Sequence, residues 1–130
     1  MTIDWDWTRV VIDHVHVRVR DARESIAFYR ALLATLEIPP IWESEHGAQL
    51  ANLVVSADGP PGGPAHIAFV ADSRDQVDAF HRAGLAAGGR DNGPPGVRER
   101  YSSEAGGRYY AAYVLDPDGN NVEAVCREFG

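Results

Sequence analysis

The sequence predicts an α+β fold in which a β-α-β-β(-β) unit occurs twice and the two units border a cleft. Three observations predict it. The chain repeats itself at a shift of 52 residues: Ala27-Phe28-Tyr29-Arg30-Ala31-Leu32-Leu33-Ala34 lies over Ala79-Phe80-His81-Arg82-Ala83-Gly84-Leu85-Ala86, with six of eight positions identical. The same shift lays His14 on His66, Asp21 on Ser73 and Glu24 on Gln76, so strand, cap and helix register together. Finally, residues 10–19 alternate strictly, with Val11, Val15, Val17 and Val19 on one face and Ile12, His14, His16 and Arg18 on the other.

Taken in order, that alternating run is the first strand. Asp21-x-x-Glu24 then reads as an N-cap with its capping-box partner, opening a helix of about four turns that carries Ile26, Tyr29, Leu33 and Leu36 and ends before Pro39-Pro40. Strands are expected near 41–45 and 49–56. Asp58-Gly59-Pro60-Pro61-Gly62-Gly63-Pro64 joins the halves. The second half opens with a strand at 65–70, placing Ile67 and Phe69 opposite His66, Ala68 and Val70. Ser73-x-x-Gln76 opens the second helix, with Val77, Phe80, Ala83 or Gly84, and Leu85 as its apolar stripe, and Gly88-Gly89 stops it. Residues 91–96 read as a loop. Strands are expected at 98–101, 109–115 and 121–126, the last two flanking the turn Asp116-Pro117-Asp118-Gly119-Asn120.

Composition narrows the function classes. The chain has 130 residues, 45% hydrophobic and 24% charged, enough for one core and too apolar for disorder. A net charge of −7 without a basic cluster argues against nucleic acid as partner. The single cysteine, Cys126, excludes an internal disulfide framework and is expected in the core. No apolar run is long enough for a membrane span and the N-terminal stretch is acidic, so a cytoplasmic protein with no membrane partner is expected.

The polar strand face carries the chemistry. A helix covers one face of each half-sheet, and the valine face suits that role. The opposite face holds His14, His16 and Arg18, so two such faces opposed make a cleft instead of a second core. The repeat places His14 and His66 at equivalent positions, and Glu123 interrupts an apolar strand between Val122 and Ala124. Two histidines and a carboxylate suit a divalent transition metal. The competing readings are hydrogen-bonded strand histidines at a metal-free cleft, and a Glu123–Arg18 ion pair across it. His16 reads as a proton-moving or substrate-contacting residue, and Arg18 as an anion binder or a sheet-edge ion pair. Tyr109 and Tyr113 share one strand face and Tyr110 takes the other; one set lines the cleft. Arg98 and Tyr101 can reach it from the preceding segment. His81 and Tyr29 read as helix–sheet packing residues, and Trp5, Trp7 and Trp42 as edge or dimer contacts, with an aromatic pocket wall as the alternative.

Ile12-Asp13-His14-Val15-His16-Val17-Arg18-Val19-Arg20-Asp21 followed by Ser25-Ile26-Ala27-Phe28-Tyr29, with Ala65-His66-Ile67-Ala68-Phe69 and Asp116-Pro117-Asp118-Gly119-Asn120-Asn121-Val122-Glu123, resembles the vicinal oxygen chelate superfamily of glyoxalases, bleomycin-resistance proteins and extradiol dioxygenases. The resemblance runs from about residue 10 to 126. It implies a single domain over 1–130, with tandem βαβββ modules at 10–57 and 65–127 joined by a linker at 58–64. Together these would form a half-open mixed-sheet barrel around a cleft. It implies a three-ligand site of His14, His66 and Glu123 for one divalent metal (iron, manganese, zinc, nickel or cobalt), a small-molecule substrate and a homodimer. On that frame His16 and Tyr113 are the expected catalytic residues, and Arg18, Tyr109, Arg98 and Tyr101 the expected substrate-binding ones. Residues 47–57 hold no Glu, the first-module carboxylate of glyoxalase-type proton transfer. Residues 51–55 hold no histidine, the acid–base group of extradiol dioxygenases. The reaction type stays open among lyase, isomerase, dioxygenase and transferase, against a metal-free, drug-binding alternative.

Overall fold

The computed structural model describes residues 5–9 and 12–129. The element order is β1 (Val15–Arg18), α1 (Ala22–Ala34), β2 (Pro40–Glu43), β3 (Gly47–Leu50), β4 (Leu53–Ser56), β5 (His66–Val70), α2 (Arg74–Ala86), β6 (Arg90–Val97), β7 (Arg108–Leu115) and β8 (Asn121–Glu128), with a single 3₁₀ turn at Glu99–Tyr101. The helices begin 52 residues apart and have equal lengths, as the repeat requires. Asp21 accepts a hydrogen bond from the Glu24 N–H, and Ser73 from the Gln76 N–H. These caps satisfy orphan donors at each helix start.

Two four-stranded sheets result, ordered β1-β4-β3-β2 and β5-β8-β7-β6. In each, the helix carries the chain from an edge strand, and the last strand returns parallel to that edge. The sheets are mixed, and they do not close into a barrel; the architecture is a half-open α+β cup. Each sheet lays its apolar face on the helices. Val17, Val55 and Leu53 from one side, and Val114, Val122 and Ala124 from the other, join Phe28, Leu32 and Phe80 in one core. The helices meet where Gly84 passes Leu32, and a Cβ there would lie 3.0 Å from Leu32 Cδ1 and from Val114. Tyr29, fully buried on α1, donates to Asp116 at the β7–β8 turn (2.5 Å), tying the halves by a polar strut.

Several elements differ from the sequence expectation. The first strand is shorter than 10–19: Val10 and Val11 lie outside the described residues, and His14 precedes the strand. The expected strand at 49–56 is a hairpin, turning at Ala51-Asn52 with Ala51 at a φ of 49°. The largest correction concerns residues 90–101. The segment expected to be a loop is β6, and the strand expected at 98–101 is the 3₁₀ turn. β6 is an edge strand, where a proline's missing N–H leaves no ladder bond unmade. Its pairing with β7 shifts register on both sides of Gly93, whose φ is +149°. Gly and Pro therefore mark irregularities within a strand here.

Candidate functional site

Strand register decides which polar side chains meet. β7 and β8 pair Tyr113 with Glu123 and Tyr109 with Arg127, while β5 and β8 pair His66 with Asn121. Alternation puts all of these on the sheet face away from α2. Tyr110 takes the helix side and donates to Asp78 on α2 (2.6 Å), so Tyr109 and Tyr113 are the pair on the polar face. There a cavity of about 540 Å³ is lined by His66, Tyr101, Tyr109, Tyr113, Glu123 and Arg127, with Asn121 beside them.

Glu123 is the centre of this cluster. Only 1% exposed, it receives His66 Nε2–H on Oε1 (2.7 Å) and the Tyr109 hydroxyl on Oε2. A carboxylate held this deep requires such donors, since an unpartnered buried charge is costly. Tyr113 stands beside the same carboxylate. Burial, and then the Glu123 charge, push its hydroxyl up to about 12. The same two causes, with the hydrogen bond to Glu123, raise Tyr109 further, while Arg127 opposes the shift. Both phenols therefore stay protonated at neutral pH and act as donors. Tyr101 packs on Tyr109 with centroids 5.3 Å apart, and the Arg98 guanidinium lies 5.3 Å from the Tyr113 centroid.

Of the residues nominated from sequence, His66, Glu123, Tyr109, Tyr113 and Tyr101 gather at the cavity, with Arg98 against Tyr113. His14, His16 and Arg18 do not join them within one chain. His14 is 59% exposed in its side chain and its Nδ1 lies 2.9 Å from Asp13. His16 Nε2 lies 2.6 Å from Ser56 Oγ, Ser56 donates to Asp58 (2.7 Å), and Arg18 Nε donates to the same Asp58 oxygen (3.2 Å). The physical reason is the division into two sheets: β1 belongs to the first and no strand ladder joins it to β5. Arg18 therefore pairs at its own sheet edge, and the competing reading of a Glu123–Arg18 ion pair gives way to a Glu123–His66 contact. Among the described residues, no three His, Cys, Asp or Glu side chains stand close enough to hold a metal. His66 and Glu123 supply two convergent donors, nitrogen and carboxylate, of the kind a divalent transition metal takes.

Sequence reasoning missed Arg127, and it named Trp7 without a partner. Arg127 sits with its Cζ 3.9 Å from the Trp7 ring centroid and 5.0 Å from that of Tyr109. Alternation from Glu123 could have put Arg127 on the cavity face; nothing in the sequence brings residue 7 to residue 127.

A sequence model described as the Glyoxalase/Bleomycin resistance protein/Dioxygenase superfamily matches residues 11–124. The chain belongs to that superfamily. It is 37% identical to a glyoxalase/bleomycin resistance protein from Albidiferax ferrireducens T118, whose crystal structure matches with a TM-score of 0.74 over 88% of this chain and 98% of that one. The fold is also that of a lactoylglutathione lyase from Agrobacterium tumefaciens (19% identity, TM-score 0.64, 91% of this chain and 94% of that one). A superfamily enzyme from Burkholderia phytofirmans PsJN matches likewise, at 18% identity and a TM-score of 0.66, over 92% of this chain and all of that one. No curated protein matches the chain. Glyoxalase-superfamily proteins generally bind small molecules, often as dimers, and commonly use a divalent metal. Among the described residues of this member, no helix is long and apolar enough to cross a membrane.

Proposed function

We propose that this glyoxalase-superfamily protein is a metal-dependent enzyme acting on a small substrate that chelates through neighbouring oxygens, and that its site is completed by a second copy of the chain. The observation that carries the reading is the His66–Glu123 pair at the base of a tyrosine-lined cavity. Two donors are too few for a stable transition-metal site. His14 of another copy would supply the third, because it is exposed on the open side of the first sheet while His66 is exposed on that of the second. The donor chemistry of two imidazoles and one carboxylate fits iron, manganese, zinc, nickel or cobalt. Such an ion, when bound, supplies Lewis-acid stabilisation of a developing oxyanion.

This chain's own residues do the rest. Tyr113, kept protonated by burial and by Glu123, presents a hydroxyl donor to negative charge forming on a substrate oxygen. Tyr109 holds Glu123 in one orientation and so fixes the direction of its other oxygen. Tyr101 forms one wall of the cavity, its ring packed on Tyr109. His16, bonded to Ser56, stands outside the cavity of its own chain and would contact substrate only from the neighbouring copy.

One observation favours a second reading, a metal-free small-molecule-binding protein: both Glu123 oxygens are already hydrogen-bonded within the single chain. Metal content by mass spectrometry separates the two. Untagged protein is expected to carry one equivalent of transition metal per chain. His14→Ala and Glu123→Ala, each purified alone, are expected to carry none. Mixing and re-annealing the two variants should restore one site per heterodimer, since one intact His14 then faces one intact Glu123. No metal in the parent after reconstitution with each of the five ions would leave the binding-protein reading.

A further inference from the structure

We infer that Arg127 receives a carboxylate of the substrate at the end of the cavity away from His66, with Trp7 as the positioning residue that holds its guanidinium there. The inference rests on the assignment of the cavity as the substrate site, and it is independent of whether a metal is bound.

Arg127 sits in a built cradle. The Trp7 and Tyr109 rings stack on its guanidinium, and Nη1 donates to the Gly106 carbonyl (3.1 Å). Gly106 leaves the room for this: a Cβ there would fall 2.6 Å from Arg127 Nη1 and 3.5 Å from Trp7 Cζ2. With aromatic rings against it and one donor used, the remaining edge N–H groups are left for a ligand. Arg18, Arg20, Arg30 and Arg74 all pair with carboxylates. Among the described residues Arg127 pairs with none, although the chain carries a net charge of −7. Two further cations stand near the cavity: Arg98 gives Nη1 to the Gly96 carbonyl and Nη2 to that of Pro94, and Arg100 lies over the Tyr101 ring and donates to its hydroxyl. Neither lines the cavity; Arg127 does, with donors to offer.

Its position sets the shape of the ligand. Arg127 and Glu123 share a face of β8 four residues apart, about 13 Å along the strand. Tyr109 spans that interval, with its ring at the guanidinium and its hydroxyl at Glu123. A substrate reaching both ends is elongated, with its carboxylate at Arg127 and its other end at His66 and Glu123. One guanidinium edge matches two oxygens of a carboxylate or of a phosphate alike. The monoanionic carboxylate is favoured because a phosphate dianion would meet the buried Glu123 charge within an acidic chain.

The test uses chelator-treated, full-length protein and isothermal titration with 3-phenylpropionate, its neutral amide and phenyl phosphate, while two-dimensional NMR follows the arginine Nε–H signals. The expected result is that 3-phenylpropionate binds and shifts the Arg127 signal and that the amide binds at least about tenfold more weakly. Arg127→Met should lose about tenfold or more in affinity for the carboxylate, with Arg127→Lys between it and the parent. Trp7→Ala should weaken binding several-fold and Trp7→Phe should restore it, with melting curves confirming that each variant is folded. Equal carboxylate affinity in Arg127→Met and the parent, or equal binding of acid and amide, overturns the inference. Tighter binding of phenyl phosphate overturns the carboxylate assignment, and unchanged binding in Trp7→Ala removes the role given to Trp7. Absence of metal from the parent would defeat the enzyme reading and leave these results standing.

Discussion

The two halves share strand order, helix length and cap chemistry, yet their polar faces differ. On the first sheet, His16, Ser56, Asp58 and Arg18 run in a chain that ends in an exposed ion pair. Asp58 is exposed, and its hydrogen bond from Ser56, ahead of the nearby Arg18 charge, holds its carboxyl below the usual range. On the second sheet, the carboxylate is buried and its bonds run inward to His66 and Tyr109. The strands differ as well: β6, β7 and β8 have eight residues each, against four for β2, β3 and β4. Longer strands give a face deep enough for a cavity, and the second half uses it. One scaffold thus carries a solvated polar surface on one half and a desolvated site on the other. Burial of the carboxylate makes the difference.

The strongest way to sharpen this contrast is to neutralise each carboxylate in turn. Glu123→Gln is expected to abolish metal retention, while Asp58→Asn should leave metal content unchanged and shift stability by less than about 1 kcal/mol, as for other exposed pairs. Equal effects on metal content, read by mass spectrometry, would show the two faces to be equivalent after all. A smaller effect comes from the strut between halves. Tyr29→Phe leaves Asp116 with its Asn120 partners but removes the buried hydroxyl bond, and should cost about 1–3 kcal/mol in urea unfolding. A loss well below that range would mean that apolar packing alone joins the halves.

Next in size is the alkaline limb. Tyr113 has a folded pKa raised from 10.0 to about 12, so its stabilising contribution is complete below pH 10 and is lost as pH rises through about 12. Burial raises Tyr29 and Tyr109 further still, so tyrosinate absorbance should show several late phenols, and Tyr113→Phe should remove the one that titrates at about 12; an unchanged titration curve would contradict the environment described for it. The smallest effect is at the β3–β4 hairpin. Ala51 takes a positive φ, where the second half's corresponding turn has Gly119 at φ +87°. Ala51→Gly should raise stability by about 0.5–1 kcal/mol, measured by thermal melting. A fall would show that the Ala51 side chain packs more than its backbone strains.

Much of this was legible in the sequence because it is local. Caps at Asp21 and Ser73 depend on residues three apart, and the assignment of His66, Glu123, Tyr109 and Tyr113 to one face depends on alternation within strands. The alternation could not say which tyrosines face the helix until Tyr110 was seen to reach Asp78. β6 escaped because its edge position and its bulges admit the glycines and prolines that elsewhere end strands. His14 and Arg127 illustrate the tertiary remainder. Whether His14 meets His66 depends on which sheets, and which chains, stand opposite, and the repeat carries no such information. Alternation reaches Arg127's face, but its cradle is seen only once residue 7 is found stacked on it, 120 positions away in the chain.

The contact at Gly84 has a further consequence. No strand ladder joins the two sheets, so their separation is gauged where α1 and α2 touch, and that gauge is the hydrogen atom Gly84 carries in place of a methyl group. A methyl group there would press on Leu32 and on both methyls of Val114, and those side chains would have to give way. Any structure that has to bridge both faces, whether a substrate or a second chain, meets a span that this seam and the Tyr29–Asp116 strut set together, far from the cavity itself.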